Sequence, residues 1–108
     1  MDTDIATDLL SALANPHRLE AFRLLAKHSP QGLAAGDIAD ALSVTPSALS
    51  FHLGHLERCG LIAARRDGRR IIYGLEPERM RALLGFLTHD CCGGKPELCG
   101  VNAKTNCG

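Results

Sequence analysis

Cys91, Cys92, Cys99 and Cys107 fall in the segment 91–108, and the fifth cysteine, Cys59, stands apart from them. Cys91 and Cys92 are adjacent, and Cys99 follows after Gly93-Gly94-Lys95-Pro96-Glu97-Leu98. The two glycines let the chain fold back so that three sulfurs can meet. Three thiolates without an obligatory fourth ligand suit a soft ion content with three sulfurs and a lone pair, and trivalent arsenic or antimony answers to that chemistry. Zinc favours a closed tetrahedron, usually from C-x-x-C spacing, which is absent here. Zinc or cadmium could still recruit Cys107, His89 or Asp90. The alternative is that these cysteines are unused thiols or a disulfide pair, although a tail without a core has no packing reason to keep four of them. Cys59 lies where a helix packs inward and reads as a small buried hydrophobe.

The elements that must position such a cluster belong to one domain. The chain has 108 residues, a formal net charge of +0 and a sequence pI near 6.9, so any attraction to nucleic acid has to be local. No apolar run is long enough to span a bilayer, and the N-terminal MDTDIATD is acidic where an export signal would be basic. A cytoplasmic location is therefore expected, with the cysteines reduced and available for metal or redox chemistry. No Ser/His/Asp or paired-carboxylate arrangement is visible, and no cysteine accompanies a βαβ pattern. An enzyme such as a thiol-dependent reductase has no support.

Five helices and one hairpin follow from the pattern. Ile5, Leu9, Leu10 and Leu13, with Ala6 and Ala12, predict a short helix over 4–14. Asn15-Pro16 is a cap followed by a helix-starting proline, which opens a second helix over 16–28 with Leu19, Phe22, Leu25 and Ala26 inward. Arg18, Glu20, Arg23 and Lys27 are expected to face outward, with His17 and His28 on the surface. After the loop Ser29-Pro30-Gln31-Gly32 comes a third helix over 35–42, with Ile38 and Leu42 inward. Glu76-Pro77-Glu78 starts the last helix, whose Met80, Leu83, Leu84 and Leu87 fall at i, i+3, i+4 and i+7 and whose Phe86 widens the stripe. The preceding elements already supply a core, so this extra apolar face is most simply explained by a second subunit pairing it with the first helix. Beyond His89 the chain is rich in glycine and polar residues, which divides it into a folded part, 1–90, and a tail, 91–108, expected to be mobile except where something holds it.

Between these elements lies a second candidate site. Ser43-Val44-Thr45 turns into a helix over 46–59, with Thr45 as cap and Pro46 in the first turn. Leu49, Leu53 and Leu56 form its apolar stripe. Ser47, Ala48, Ser50 and Phe51 occupy the other face, and no carboxylate appears before Glu57. A face without acid or long floppy side chains can approach a polyanion closely, as a helix in the major groove must. Two helices joined by so short a turn have the form of a helix-turn-helix unit. After Gly60 the period becomes alternating, and the runs 61–66 and 69–75 flank Asp67-Gly68, a strong signal for a two-residue hairpin turn. Arg65, Arg66, Arg69 and Arg70 crowd its tip against Asp67 alone. Such a local excess is rewarded by counterion release from phosphates.

This order of elements, with Asn15-Pro16-His17-Arg18-Leu19 opening the second helix and Leu49-Ser50-Phe51-His52-Leu53 in the candidate reading helix, resembles the ArsR/SmtB family of metal-sensing repressors over roughly residues 5–99. The resemblance implies a mainly α fold with a two-stranded β-wing, a homodimeric winged helix-turn-helix that binds a palindromic operator and releases it when a toxic metal or metalloid binds. It implies DNA contacts from Thr45, Ser47, Ala48, Ser50 and Phe51, with His52 orienting, and phosphate or minor-groove contacts from Arg65, Arg66, Arg69 and Arg70. The founding arsenic sensors of the family carry a cysteine pair in the helix before the recognition helix, and the segment 35–42 has no cysteine. The cysteines here resemble instead those of an arsenite-responsive subgroup with ligands at the end of the last helix, which makes Cys91, Cys92 and Cys99 the As(III) ligands, with Sb(III) as an alternative guest. A redox sensor, in which Cys91 or Cys92 pairs with Cys99, is the rival on the same scaffold.

Overall fold

Three side-chain caps set helix starts in the computed structural model, which describes residues 1–91, with side chains through Thr88. Asp2 caps α1 (Thr3–Leu13) by accepting from the Ile5 N–H at 2.8 Å. Asn15 caps α2 (Pro16–Lys27) through the N–H groups of His17 and Arg18. Thr45 caps α4 (Pro46–Arg58) through the Ala48 N–H at 3.2 Å. Before α4 comes α3 (Ala35–Leu42), and Ser43, at φ 55°, takes the left-handed conformation that breaks it. The strands β2 (Ile62–Asp67) and β3 (Arg70–Leu75) and the helix α5 (Pro77–Cys91) complete the expected order. The fold is mainly helical with a small antiparallel wing, as expected.

The core is filled by Leu9, Leu25, Ile38, Leu53, Leu56, Leu61 and Ile62, all essentially inaccessible to solvent. Its buried face differs from the sequence expectation in α1, α2 and α5. In α1 the inward residues are Ala6, Leu9 and Ala12, while Ile5 and Leu10 are exposed. In α2 they are Ala21, Phe22 and Leu25; Leu19 is 43% exposed and Ala26 lies on the surface. Small alanines face the neighbouring helices because they let the backbones approach closely, and this turns the bulkier Leu19 and Leu10 outward. In α5, Leu83 is buried and Met80 and Phe86 pack against the core, whereas Leu84 and Leu87 remain exposed. The helix reaches Cys91 rather than ending at His89.

Two features of the sheet differ as well. A two-residue strand β1 (Leu33–Ala34) pairs with β3, so the wing is rooted in a three-stranded antiparallel sheet of order β1-β3-β2. Two residues carry too little alternation to be read as a strand. The hairpin turn is Gly68-Arg69, not Asp67-Gly68, because Asp67 pairs with Arg70. Gly68, at φ +65°, takes the first central position, where a tight hairpin needs a positive φ that arginine resists.

The loop leading to β1 is held tightly to the wing. Gly32 has φ +81°, and a Cβ there would collide with the Tyr73 carbonyl oxygen. Gly32→Ala should therefore lose about 1–3 kcal/mol to the left-handed strain, with the collision adding to it. Gly36→Ala, in α3 where a Cβ meets nothing within 4 Å, should instead be neutral or stabilising by up to about 1 kcal/mol. Urea denaturation of the two variants checks the contrast, and equal effects would contradict the close approach at Gly32.

Candidate nucleic-acid interface

The turn between α3 and α4 is closed by the main chain, with the Ser43 N–H donating to the Asp40 carbonyl at 3.3 Å and the Val44 N–H to that of Ala39 at 3.1 Å. Leu49, Leu53 and Leu56 of α4 then enter the core. Their burial fixes the helix's rotation, so Ser47, Ala48, Ser50 and Phe51 all come to the surface. Phe51 is 65% exposed. The structure brings these four residues together on one face, as read from the sequence. Thr45 stands at its end with its hydroxyl committed to the cap and lying 3.4 Å from Ser47 Oγ.

His52 is placed differently from them. It is half-buried and turned toward α2, its ring centroid 5.4 Å from that of His17 and 5.6 Å from that of Phe51, which it meets edge-on. Its partner is Arg18, which was expected to face solvent. Arg18 Nε donates to the Ala12 carbonyl at 2.6 Å and Arg18 Nη1 lies 3.4 Å from His52 Nδ1. Because a guanidinium offers donors alone, His52 must accept through an unprotonated Nδ1. One side chain thereby joins the end of α1, the start of α2 and the flank of α4. Neither contact leaves a periodic signal, since they span six and 34 residues of sequence.

The four arginines of the wing divide by strand face. The cross-strand pairs Arg65–Ile72 and Asp67–Arg70 share one face. On it, Arg65 Nη2 donates to the Gln31 carbonyl at 2.7 Å, and Arg70 Nη2 pairs with Asp37 Oδ2 of α3 at 2.9 Å. That ion pair is more than half exposed on both sides and is worth little in stability. Arg66, paired across the hairpin with Ile71, points to the opposite face. Arg66 and the turn residue Arg69 have no hydrogen-bond or ion-pair partner among the described residues.

The cysteines divide similarly. Cys59 is half-buried at the end of α4, its Sγ donating to the Leu56 carbonyl at 3.3 Å, which fits the structural role expected of it. Cys91 is the last residue of α5. Its side chain, and Cys92, Cys99 and Cys107, lie outside the described residues, as do the side chains of His89 and Asp90 and the tail 92–108. Among the described residues no group of three or more His, Cys, Asp or Glu could hold a metal ion.

Both histidines of α4 are shifted toward the neutral form. For His52 burial is the main cause, followed by the positive charge of Arg18 and by His17 and His55. For His55 the causes are burial, then Arg18 and Arg58. The unfolded chain therefore binds more protons than the folded one as pH falls below the ordinary histidine value of 6.5. Stability should be full above that pH and decline progressively as the pH falls below it. His52→Asn, which keeps an acceptor toward Arg18 but cannot titrate, should show a smaller fall in melting temperature on acidification from about pH 7.5 to 5.5. Thermal denaturation across that range checks it; an undiminished fall would place the effect in other groups.

Several known proteins share this arrangement. A family model described as a helix-turn-helix domain matches residues 13–65, from the end of α1 into β2. The nodulation protein NolR of Rhizobium meliloti is 37% identical over 87 residues, which cover 81% of this chain and 69% of that protein. A transcriptional repressor SmtB homolog of Synechocystis is 40% identical over 68 residues, 63% of this chain and 49% of that protein. Among solved structures, the homodimeric winged helix-turn-helix DNA-binding domain of a possible ArsR-family transcriptional regulator from Mycobacterium bovis matches with a TM-score of 0.66 and 30% identity, covering 80% of this chain and 84% of that one. No helix among the described residues is long and apolar enough to cross a membrane. With a short turn, an acid-free outward helix face and an arginine-tipped wing in place, the chain belongs to the ArsR/SmtB family of winged helix-turn-helix transcriptional regulators, a family that binds DNA.

Proposed function

We propose that the protein is a cytoplasmic, arsenite-responsive repressor, not an enzyme, that binds its operator as a homodimer and releases it when As(III), or Sb(III), is bound by Cys91, Cys92 and Cys99. The observation that carries this reading is the position of the cysteine pair: α5 runs as far as Cys91, so Cys91-Cys92 is joined directly to a helix that packs on the core through Leu83, Met80 and Phe86. The donor set supports a thiophilic guest, since it offers three soft thiolates without the C-x-x-C spacing usual for zinc. The apolar residues left exposed on α1 and α5, two helices that pack on each other, support dimerisation there: Ile5 and Leu10 on one, Leu84 (49% exposed) and Leu87 on the other. A tail drawn onto the end of α5 would then act on the helix that sets the spacing of two reading helices. A coupling of about 1–3 kcal/mol, roughly 5- to 150-fold in affinity, suffices for such release.

Cys91→Ser, Cys92→Ser and Cys99→Ser should each leave operator binding intact and abolish release by arsenite under reducing conditions, measured by fluorescence anisotropy. Release that survives in all three would displace the site from these residues, and release by peroxide instead of arsenite would assign them to disulfide formation. On the DNA side, the partnerless arginines are the ones free to reach phosphate. Replacing Arg66 and Arg69 by alanine should reduce the slope of log K against log salt by roughly 3 to 4 for a dimer, at about 0.9 per phosphate contact. The Arg65→Ala/Arg70→Ala pair should change it less, because those side chains are engaged within the chain. Salt titrations of both double variants compare them.

A further inference from the structure

The outward face of α4 is notable for the hydrogen-bonding side chains it does not carry. From Thr45 to Gly54 there is no Arg, Lys, Asn or Gln, the residues that read guanine and adenine through paired hydrogen bonds. The hydroxyls of Ser47 and Ser50 accept or donate to any base, and the Thr45 hydroxyl is taken by its cap. His52 and His55 are both half-buried, one beside α2 and the other toward Asp8 and Ser11 of α1. What the face does carry is apolar. Ala48 and Phe51 are three residues apart and so adjacent on the helix surface. Phe51 leaves 65% of its area in solvent, the largest value among the big hydrophobic side chains exposed on the described residues. Its ring meets that of His52 edge-on, and His52 in turn contacts Arg18, so one edge of the phenyl ring has a neighbour while most of its area faces outward.

We infer that Phe51, with Ala48 beside it, is the specificity-determining contact of the reading helix and that it recognises the 5-methyl group of a thymine in the major groove. This rests on the DNA-binding reading of α4 and adds to it the chemical group that is read. In the major groove a thymine methyl is the apolar feature that separates a T·A pair from the others, and an exposed aromatic ring is suited to cover it. The serines around the ring can hydrogen-bond to neighbouring base edges or phosphates without choosing among bases. Sequence preference then comes from burial of a methyl group, and the wing arginines contribute affinity without preference.

The test uses the full-length reduced protein and a pool of random-sequence duplexes from which the preferred site is selected. Each thymine of that site is then replaced in turn by uracil, which removes the methyl and nothing else. For the wild-type protein, one thymine in each half-site should be sensitive, with a loss of roughly fourfold per methyl and about 15-fold when both half-sites are changed, as expected for burying one carbon. Phe51→Ala should bind thymine and uracil duplexes equally, and Phe51→Leu should keep most of the discrimination. Thermal denaturation of both variants establishes that they fold. Tight, selective binding that is indifferent to uracil at every position, or discrimination that survives in Phe51→Ala, overturns the assignment while leaving operator binding by α4 intact. A change of oligomeric state in Phe51→Ala with its base preference unaltered overturns it too, by making the ring a protein contact. Failure to select any sequence would overturn the DNA-binding reading itself.

Discussion

A single steric demand governs this molecule: α4 must bury Leu49, Leu53 and Leu56 completely, and a helix that does so has one choice of rotation. Each of these side chains is worth on the order of 2 kcal/mol in burial, so turning the helix by one position, which would bury Ser50, Gly54 and Glu57 in their place, carries a cost no surface contact could offset. The exposed face is thus specified by the hidden one. The neighbouring elements serve the same requirement. The left-handed Ser43 sets the angle of entry from α3, and Leu61 and Ile62, both fully buried, carry the chain from the end of α4 directly into the wing.

Arginine does two kinds of work around this scaffold. Arg18, Arg65 and Arg70 spend their donors within the chain, on a helix-terminal carbonyl and an imidazole, on a loop carbonyl, and on a carboxylate of α3. Together they relate α1, α2 and the wing to the reading unit. Arg66 and Arg69 carry the same charge without such commitments. A chain with no net charge can therefore still present a local positive feature, because Asp67 is the one acid among the four arginines of the hairpin and the others lie elsewhere in the sequence.

Much of this was legible in the residues. Asn15-Pro16, Thr45-Pro46 and Glu76-Pro77 mark helix starts by a mechanism that acts within one turn, and the leucine spacing in α4 reports its buried side directly. What sequence reasoning missed depends on partners distant along the chain. Leu19 and Leu84 look as apolar as Leu25 and Leu83, and only the packing of α2 and α5 against their neighbours decides which are covered. The pairing of β1 with β3, and Arg18 with His52, links segments more than 30 residues apart and has no local signature. The hairpin was recognised but placed one residue early, because both Asp67-Gly68 and Gly68-Arg69 offer a glycine and only the cross-strand register separates them. The reading of the tail cysteines rests on the softness of a thiolate, a property of the residue, and those side chains lie outside the described residues.

The sheet beneath the wing is anchored unequally, and this has an architectural consequence. Its root is fixed by β1, Gly32 and the Arg65 contact to Gln31, while among the described residues nothing lies within 4 Å of where a Cβ at Gly68, in the outer turn, would stand. Hairpin length is thus uncoupled from the integrity of the domain. Adding one residue to each strand beyond Arg66 would carry the tip outward by roughly 3.3 Å without disturbing a buried atom, and would also reverse which side of the ribbon faces inward at the tip. Reach is therefore a quantity that natural variation could adjust independently of folding, so that related chains with similar cores could span backbones of different groove width.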